Sequence, residues 1–538
     1  MKRYDCIVIG GGHAGIEASY VAAKLGCRVL LLTLDASSIG RLSCNPAVGG
    51  VSKGHLVREV DALGGLIGRI ADKCAISYRI LNRSKGKAVW ATRAQVDRFK
   101  YPRVAQEFLE STKNIKILQA KVKNILVKNK KVYGVETDFG EVMCAKTVIV
   151  CAGTFLKSTI HIGFNSFSGG RLYEESCDEL FESIKKLGFK TKHFKTGTCA
   201  RLDKRTIDFS KTTEQHPDFD AEPFSSTTTS ITKDQLSCFI TYTNQKTHKI
   251  ILKNLSRSPL YTGKIKSTGV RYCPSLEDKV VKFSDRERHQ VFIEPEGRGS
   301  LEVYPNGIST SLPFDVQVEF IHTIEGFQAA RIIRPGYGIE HGVIDALELL
   351  ATLETKKIRG LYFAGQVNGT TGYEEAAAQG LVAGINAALG VKKKRPFILK
   401  RSDAFMGVLI DDLTTKGVDE PYRMFTSRSE FRLSLRESNA DTRLSPLAYE
   451  LGLIDKTRYD HVLEKKNLIS RQLRSLRSTR VKFDGKTQPL FEILKRPKVT
   501  YDYVEKELDN RLSREIFKRE VEIQTKYEGF LQKERIWL

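Results

Sequence analysis

A short apolar run that feeds straight into a glycine turn and then a helix constrains this 538-residue chain more than any other feature. Cys6-Ile7-Val8-Ile9 reads as a buried parallel strand, and a helical pattern runs from Ile16 to Leu25. Between them lies Gly10-Gly11-Gly12-His13-Ala14-Gly15, a G-x-G-x-x-G spacing in the strand–turn–helix context that a dinucleotide-binding fold requires. Gly10 permits the tight turn, Gly12 lets a pyrophosphate approach the backbone, and Gly15 lets helix and strand pack closely. The helix N-terminus then turns free N–H groups and the positive end of its dipole toward the phosphates. The alternative is a glycine turn without a ligand in an ordinary α/β fold.

The second strand, Arg28–Thr33, ends at Thr33 where flavin and NAD folds usually place an acid for the ribose; Asp35 comes two residues later, a departure that weakens a simple NAD reading. Residues 115–153 read as a β-meander ending in Cys151-Ala152-Gly153. A further buried strand, 360–365, leads into Gly365-Gln366 and on to Gly372, a second glycine loop that opens a second, small-residue helix. Its expected client is a flavin ring, with the dipole end near the edge where negative charge develops on reduction. Two such loops far apart in the chain favour FAD over NAD alone. Gly49-Gly50-x-x-Lys53-Gly54 lacks the ending of an ATP phosphate loop.

The expected fold is therefore α/β. It has a Rossmann-type FAD-binding domain (1–199 and 276–395), an antiparallel β insertion domain (200–275) and a C-terminal α-helical domain (396–538). The net charge of +24 exceeds what a small-molecule oxidoreductase needs and suits a protein that neutralises phosphates, although a Lys-rich composition bias would also give it. The ten cysteines show no zinc-site spacing and read as reduced thiols, so no metal site is expected. No apolar run reaches membrane-spanning length, and a first strand at Tyr4 leaves no room for a leader; the expectation is a cytoplasmic protein or a mature organellar form.

Longer motifs identify a family. GGGHAG at 10–15, SCNPAVGGVSKGHLVREVDALGG at 43–65, RAQVDR at 93–98 and KTGT at 195–198 resemble the MnmG/GidA family. So do RYCPSLEDK at 271–279, EVYPNGISTSLP at 302–313, AGQVNGTTGYEEAAAQG at 364–380 and DEPYRMFTSRSEFRL at 419–433. The resemblance implies an FAD enzyme that uses NADH and methylene-tetrahydrofolate. With an MnmE-like GTPase it would install an aminomethyl-type group on C5 of wobble uridine 34 in tRNA, as a homodimer. The family pattern runs on beyond a motif here written Lys526-Tyr-Glu-Gly-Phe-Leu531, so either the sequence is truncated there or the GTPase contact differs.

Uracil C5 becomes nucleophilic when a thiolate adds to C6, so an activated cysteine is expected. Cys44 lies in a polar glycine loop near Arg41, Lys53 and His55; Cys273 follows Arg271; neighbouring cations lower a thiol pKa. Lys279, with Glu277 and Asp278, is the candidate for proton handling. Arg423, Arg428, Arg432 and Arg436 are the RNA-binding candidates, the last three expected on one helix face with Tyr422, Phe425 and Phe431 interleaved. Competing readings are a related FAD- and folate-dependent tRNA methyltransferase, a generic flavin oxidoreductase, and a non-catalytic RNA-associated protein.

Overall fold

The computed structural model describes residues 3–269, 274–508 and 511–537. Five parallel strands form its central sheet, in the order 115–119, 29–33, 3–9, 142–150, 361–363. Strands Lys131–Thr137 and Val122–Lys128 extend it antiparallel. The meander is therefore shorter than the sequence suggested. Ile115–Gln119 leaves it to become the parallel edge beside Val29–Thr33, because period-two alternation specifies a strand but not its partner. Ile7, Val8, Leu31 and Val148–Val150 are fully buried, as strands covered on both faces must be.

Helix His13–Lys24 is buried along almost its whole length and lies against helix Tyr373–Val391. Glycines set the approach: a Cβ at Gly380 would run into the Ala14 backbone, and one at Gly384 into Ala18. Close contact of the two backbones places the two glycine loops side by side, although more than 350 residues of chain separate Gly12 from Gly372. Both helices begin on a glycine with no side-chain cap, so their first N–H groups stay available.

The antiparallel insertion is larger than expected. Its six-stranded sheet takes strands 213–215, 238–242, 290–295, 302–306, 201–203 and 332–334 in that order, so it runs well beyond residue 275. The polar, Thr/Ser-rich composition marks where this region starts. Its end is set by non-local pairing, Leu202 opposite Val303 and Ile332. Leu202, Ile293, Val303, Phe320 and Phe327 form its core.

The C-terminal region is helical around Lys456–Ser478 and Glu515–Lys526, with a small hairpin at 480–489. One expected helix does not form: between residues 419 and 439 there are only short 3-10 turns at Thr426–Arg428 and Glu437–Asn439. Among the described residues, no helix is long and apolar enough to cross a membrane, and no His/Cys/Asp/Glu group could hold a metal.

Candidate active site

A single cleft of about 660 Å³ runs from the first glycine loop to the insertion sheet. Gly10, Gly11, Gly12, His13, Ala14 and Thr33 line one end. Gly10 takes φ +104° against the Cys151 carbonyl, a conformation open to glycine. Gly12 has open space where a Cβ would stand, so the backbone there can be approached closely. Gly15 does not line the cleft; a Cβ there would overlap the Gly10 carbonyl, so its role is helix–strand packing. His13 is buried and stacked on Tyr373 at 4.6 Å, and burial pushes its pKa down to about 4, so the ring is neutral. Its Nε2 has no hydrogen-bond partner among the described residues. Uncapped N–H groups, a bare Gly12 and an orphaned ring nitrogen fit a dinucleotide. Thr33 Oγ1 donates to the Asp35 carbonyl at 3.3 Å, while the Asp35 carboxylate accepts from the Ser37 N–H at 2.9 Å.

Gly153, Gln366 and Gly372 line the middle of the cleft. Gly365 sits just behind, against the Ala14 methyl. Gln366 meets His341, whose ring burial keeps neutral with a pKa of about 4. Sequence reasoning missed the strongest electrostatic feature here. Lys53 Nζ lies 2.9 Å from both Glu374 and Glu375. Glu374 also accepts from the Gly49 N–H at 2.7 Å, and Glu375 from the Met424 N–H at 3.0 Å. Burial works against the Lys53 ammonium, but the two carboxylates outweigh it and hold its pKa up. Lys53, read from sequence as part of a failed phosphate loop and as a cation near Cys44, thus ties the second glycine loop to the 49–54 turn. The paired acids opening a small-residue helix were the available signal.

At the far end Cys44 is half-buried, its N–H donating to Tyr373 Oη at 2.8 Å and its Sγ 3.3 Å from Tyr304 Oη. Arg201 donates to the carbonyls of Ser43 and Cys44, both at 3.1 Å, and fixes the loop. Tyr304 and Arg201 were not singled out from sequence, because residues far apart in the chain carry them to Cys44. Lys279 lines the same cleft from helix Leu276–Lys282 and donates to the Gly307 carbonyl at 2.6 Å. Glu277 does not share that position: it is fully buried and accepts from the Ser311 N–H at 3.1 Å. Asp278 pairs with Lys282 at 2.9 Å. Cys273 lies outside the described residues.

The four arginines do not share a face. Arg423 lines the cleft. Arg428 lies 4.1 Å over the Tyr422 ring and donates to the Arg423 carbonyl at 2.9 Å. Arg432 is exposed. Arg436 is buried and ion-paired with Glu520 of the C-terminal helix, which removes it from any RNA-facing surface. The recurring spacing suggested a helix, but Tyr422 is drawn into the core by its hydroxyl bond to Asp412 at 2.8 Å, and the chain turns instead.

Comparison with known proteins gives a consistent result. Residues 5–395 match the family model "Glucose inhibited division protein A", and residues 456–535 match the "tRNA modifying enzyme MnmG/GidA C-terminal helical domain". The tRNA uridine 5-carboxymethylaminomethyl modification enzyme MnmG of Thermodesulfovibrio yellowstonii is 53% identical, over 99% of this chain and 88% of its own. The same-named enzyme of Protochlamydia amoebophila is 49% identical over 99% of this chain and 85% of its own. The solved structure of Aquifex aeolicus GidA superposes with a TM-score of 0.94 at 46% identity, covering 99% of this chain and 88% of that one.

Proposed function

The chain is a member of the MnmG/GidA family, and on that premise we propose that it is an FAD-dependent enzyme adding a carboxymethylaminomethyl-type group to C5 of wobble uridine 34 in tRNA. NADH and methylene-tetrahydrofolate serve as hydride and one-carbon sources, an MnmE-like GTPase as partner, and two copies of the chain form the working unit in the cytoplasm. The observation that carries the reading is the continuity of the cleft: Gly12, Gly372, Cys44, Lys279 and Arg423 all line it. A dinucleotide, a thiol and a cationic wall therefore serve one space.

Gly10–Ala14 and Gly372 would hold FAD, with Lys53 and its two carboxylates fixing the loop against the ring. When bound, the flavin supplies hydride transfer. The chain's own residues do the rest. Cys44 Sγ adds to C6 of the uracil, and the electrons move to O4 as an enolate. C5 then attacks the methylene carbon, whose C=N electrons return to the folate nitrogen; that C–N bond later breaks as an incoming amine takes the carbon, the folate leaving with the proton the amine gives up. Loss of the C5 proton expels the thiolate and restores the 5,6 double bond. The Lys279 side chain, anchored at Gly307, lines the cleft where it can serve the enolate. Cys273 is the second thiol candidate, and Arg423, Arg428 and Arg432 grip the anticodon loop.

The test is mass spectrometry of tRNA nucleosides from cells lacking the gene, rescued with wild type, Cys44→Ser or Cys273→Ser. Loss of the C5 modification on deletion, its return with wild type and its absence with Cys44→Ser are expected. Wobble uridines unchanged by deletion would sink the catalytic reading and leave an RNA-binding role.

A further inference from the structure

Tyr304 is fully buried on strand Glu302–Asn306 and lines the cleft. Its hydroxyl oxygen lies 3.3 Å from Cys44 Sγ, 3.4 Å from Thr198 Oγ1 and 3.5 Å from the Cys199 nitrogen. The Cys199 N–H approaches the oxygen as a donor, so the phenol proton is left for Cys44 Sγ, for Thr198 or for the Cys199 thiol, which burial keeps protonated. Thr198 Oγ1 already accepts from Arg201 Nη1 at 2.7 Å. Cys44 Sγ is therefore the partner that can gain most from the phenol proton, and most of all as a thiolate.

Arg201 locks the geometry from behind. Its guanidinium sits 4.8 Å over the Tyr304 ring, bonds both loop carbonyls at Ser43 and Cys44, and is itself held by Glu296 at 3.1 Å. Arg98 braces Glu296 from the other side at 2.6 Å. One buried cation thus fixes the tyrosine and the cysteine relative to each other. Burial raises the Tyr304 hydroxyl well above its usual range, so it keeps its proton and stays a donor at any working pH. Among the described residues, Tyr373, Tyr337 and Cys199 also face Cys44, and the first two are held protonated by burial. The Cys199 thiol is pushed up to about 12 by burial. None of the three brings a negative charge to the sulfur.

We propose that Tyr304 is a positioning residue for Cys44: its hydroxyl donates to Sγ, aims the sulfur into the cleft and favours the thiolate, with Arg201 holding both partners. The proposal rests on Cys44 as the nucleophile, but its test does not.

The rate of Cys44 alkylation by iodoacetamide is followed against pH in the full-length flavoprotein, by peptide mass spectrometry that separates Cys44 from Cys199. Tyr304→Phe is expected to raise the midpoint of that profile by about one unit, and to lower kcat roughly tenfold with KM for tRNA unchanged. Placing 2,3-difluorotyrosine at position 304 makes the phenol a stronger donor and is expected to move the midpoint down, which keeps the test open if the phenylalanine variant folds poorly. Superimposable profiles for wild type and either variant would overturn the proposal. If Cys44→Ser retains tRNA modification while the profile shifts as expected, the nucleophile reading fails and the Tyr304–Cys44 pair stands.

Discussion

The two ends of the cleft are built in opposite ways. The end proposed to take the nucleotide is built on one continuous stretch, residues 9–14, closed by Thr33. The end proposed to hold the nucleophile gathers Cys44, Lys279, Tyr304 and Tyr373, with Arg201 buried behind Cys44, from segments up to hundreds of residues apart. The first is a backbone site, whose requirement is a path for the main chain. The second is a side-chain site, whose requirement is that several sheets and helices meet correctly. Backbone sites carry local signatures in sequence, while side-chain sites inherit their geometry from tertiary packing.

Breaking the junction between the ends has the largest expected effect. Lys53→Met leaves Glu374 and Glu375 buried without their cation, and should cost about 3–5 kcal/mol of stability in a denaturant melt. Lys53→Met with Glu375→Gln should recover part of that loss. If Lys53→Met alone is neutral, charge does not hold the ends together. Arg436→Ala should be damaging for the same reason, since it strands Glu520.

The glycines sharpen the contrast next. Gly15→Ala forces a side chain into the Gly10 carbonyl and should cost roughly 3 kcal/mol, with flavin lost as a consequence of misfolding. Gly12→Ala meets open space. It should leave the apoprotein's thermal midpoint almost unchanged yet strip the visible flavin absorbance from the purified protein. Equal behaviour of the two variants would show that the spacing acts only through packing.

The same contrast decides what could be read beforehand. The strand, turn and helix at 3–24 follow from apolar run, glycine and periodicity. The second glycine loop was legible because it repeats that grammar. Tyr304 and Arg201 were silent: nothing near Tyr304 in sequence says that its hydroxyl will meet Cys44, because strand pairing across the insertion sheet decides it. The arginines at 428, 432 and 436 misled in the opposite way. Their spacing satisfies a helix, but the Tyr422–Asp412 bond and the Arg436–Glu520 ion pair take the segment elsewhere. Side-chain anchors in distant elements outweighed a local pattern.

Acid should loosen the packing of the helix that carries Lys53. His55 shares a helix with Lys53 and is buried among Arg443, Arg58, Arg519 and Arg436, with Glu437 at 3.6 Å. Burial first, and those arginines second, push its pKa down to about 3 from 6.5. The unfolded chain takes up a proton that the folded one refuses, so stability present at neutral pH is lost as pH falls from 6.5 toward 3. The loss by pH ~5 should be about 2 kcal/mol, and His55→Asn should flatten that limb of the melting-temperature profile. An unchanged limb would place the acid sensitivity elsewhere.

The smallest effect belongs to Arg432, and it tests the corrected arrangement of the arginine segment. Arg432 is exposed and, among the described residues, bonds the carbonyls of Ser429 and Ser427 at 3.3 Å each. Removing it strands no buried charge, so Arg432→Ala should change stability by less than about 0.5 kcal/mol. If the side chain pairs with a tRNA phosphate, affinity should fall for every tRNA alike, and the slope of log K against log salt should shrink by about one. Arg436→Ala should do the reverse, lowering stability while leaving the salt slope of the folded fraction intact. Identical salt slopes for wild type and Arg432→Ala would mean that RNA is gripped from the cleft side, through Arg423, and not along the exposed turn.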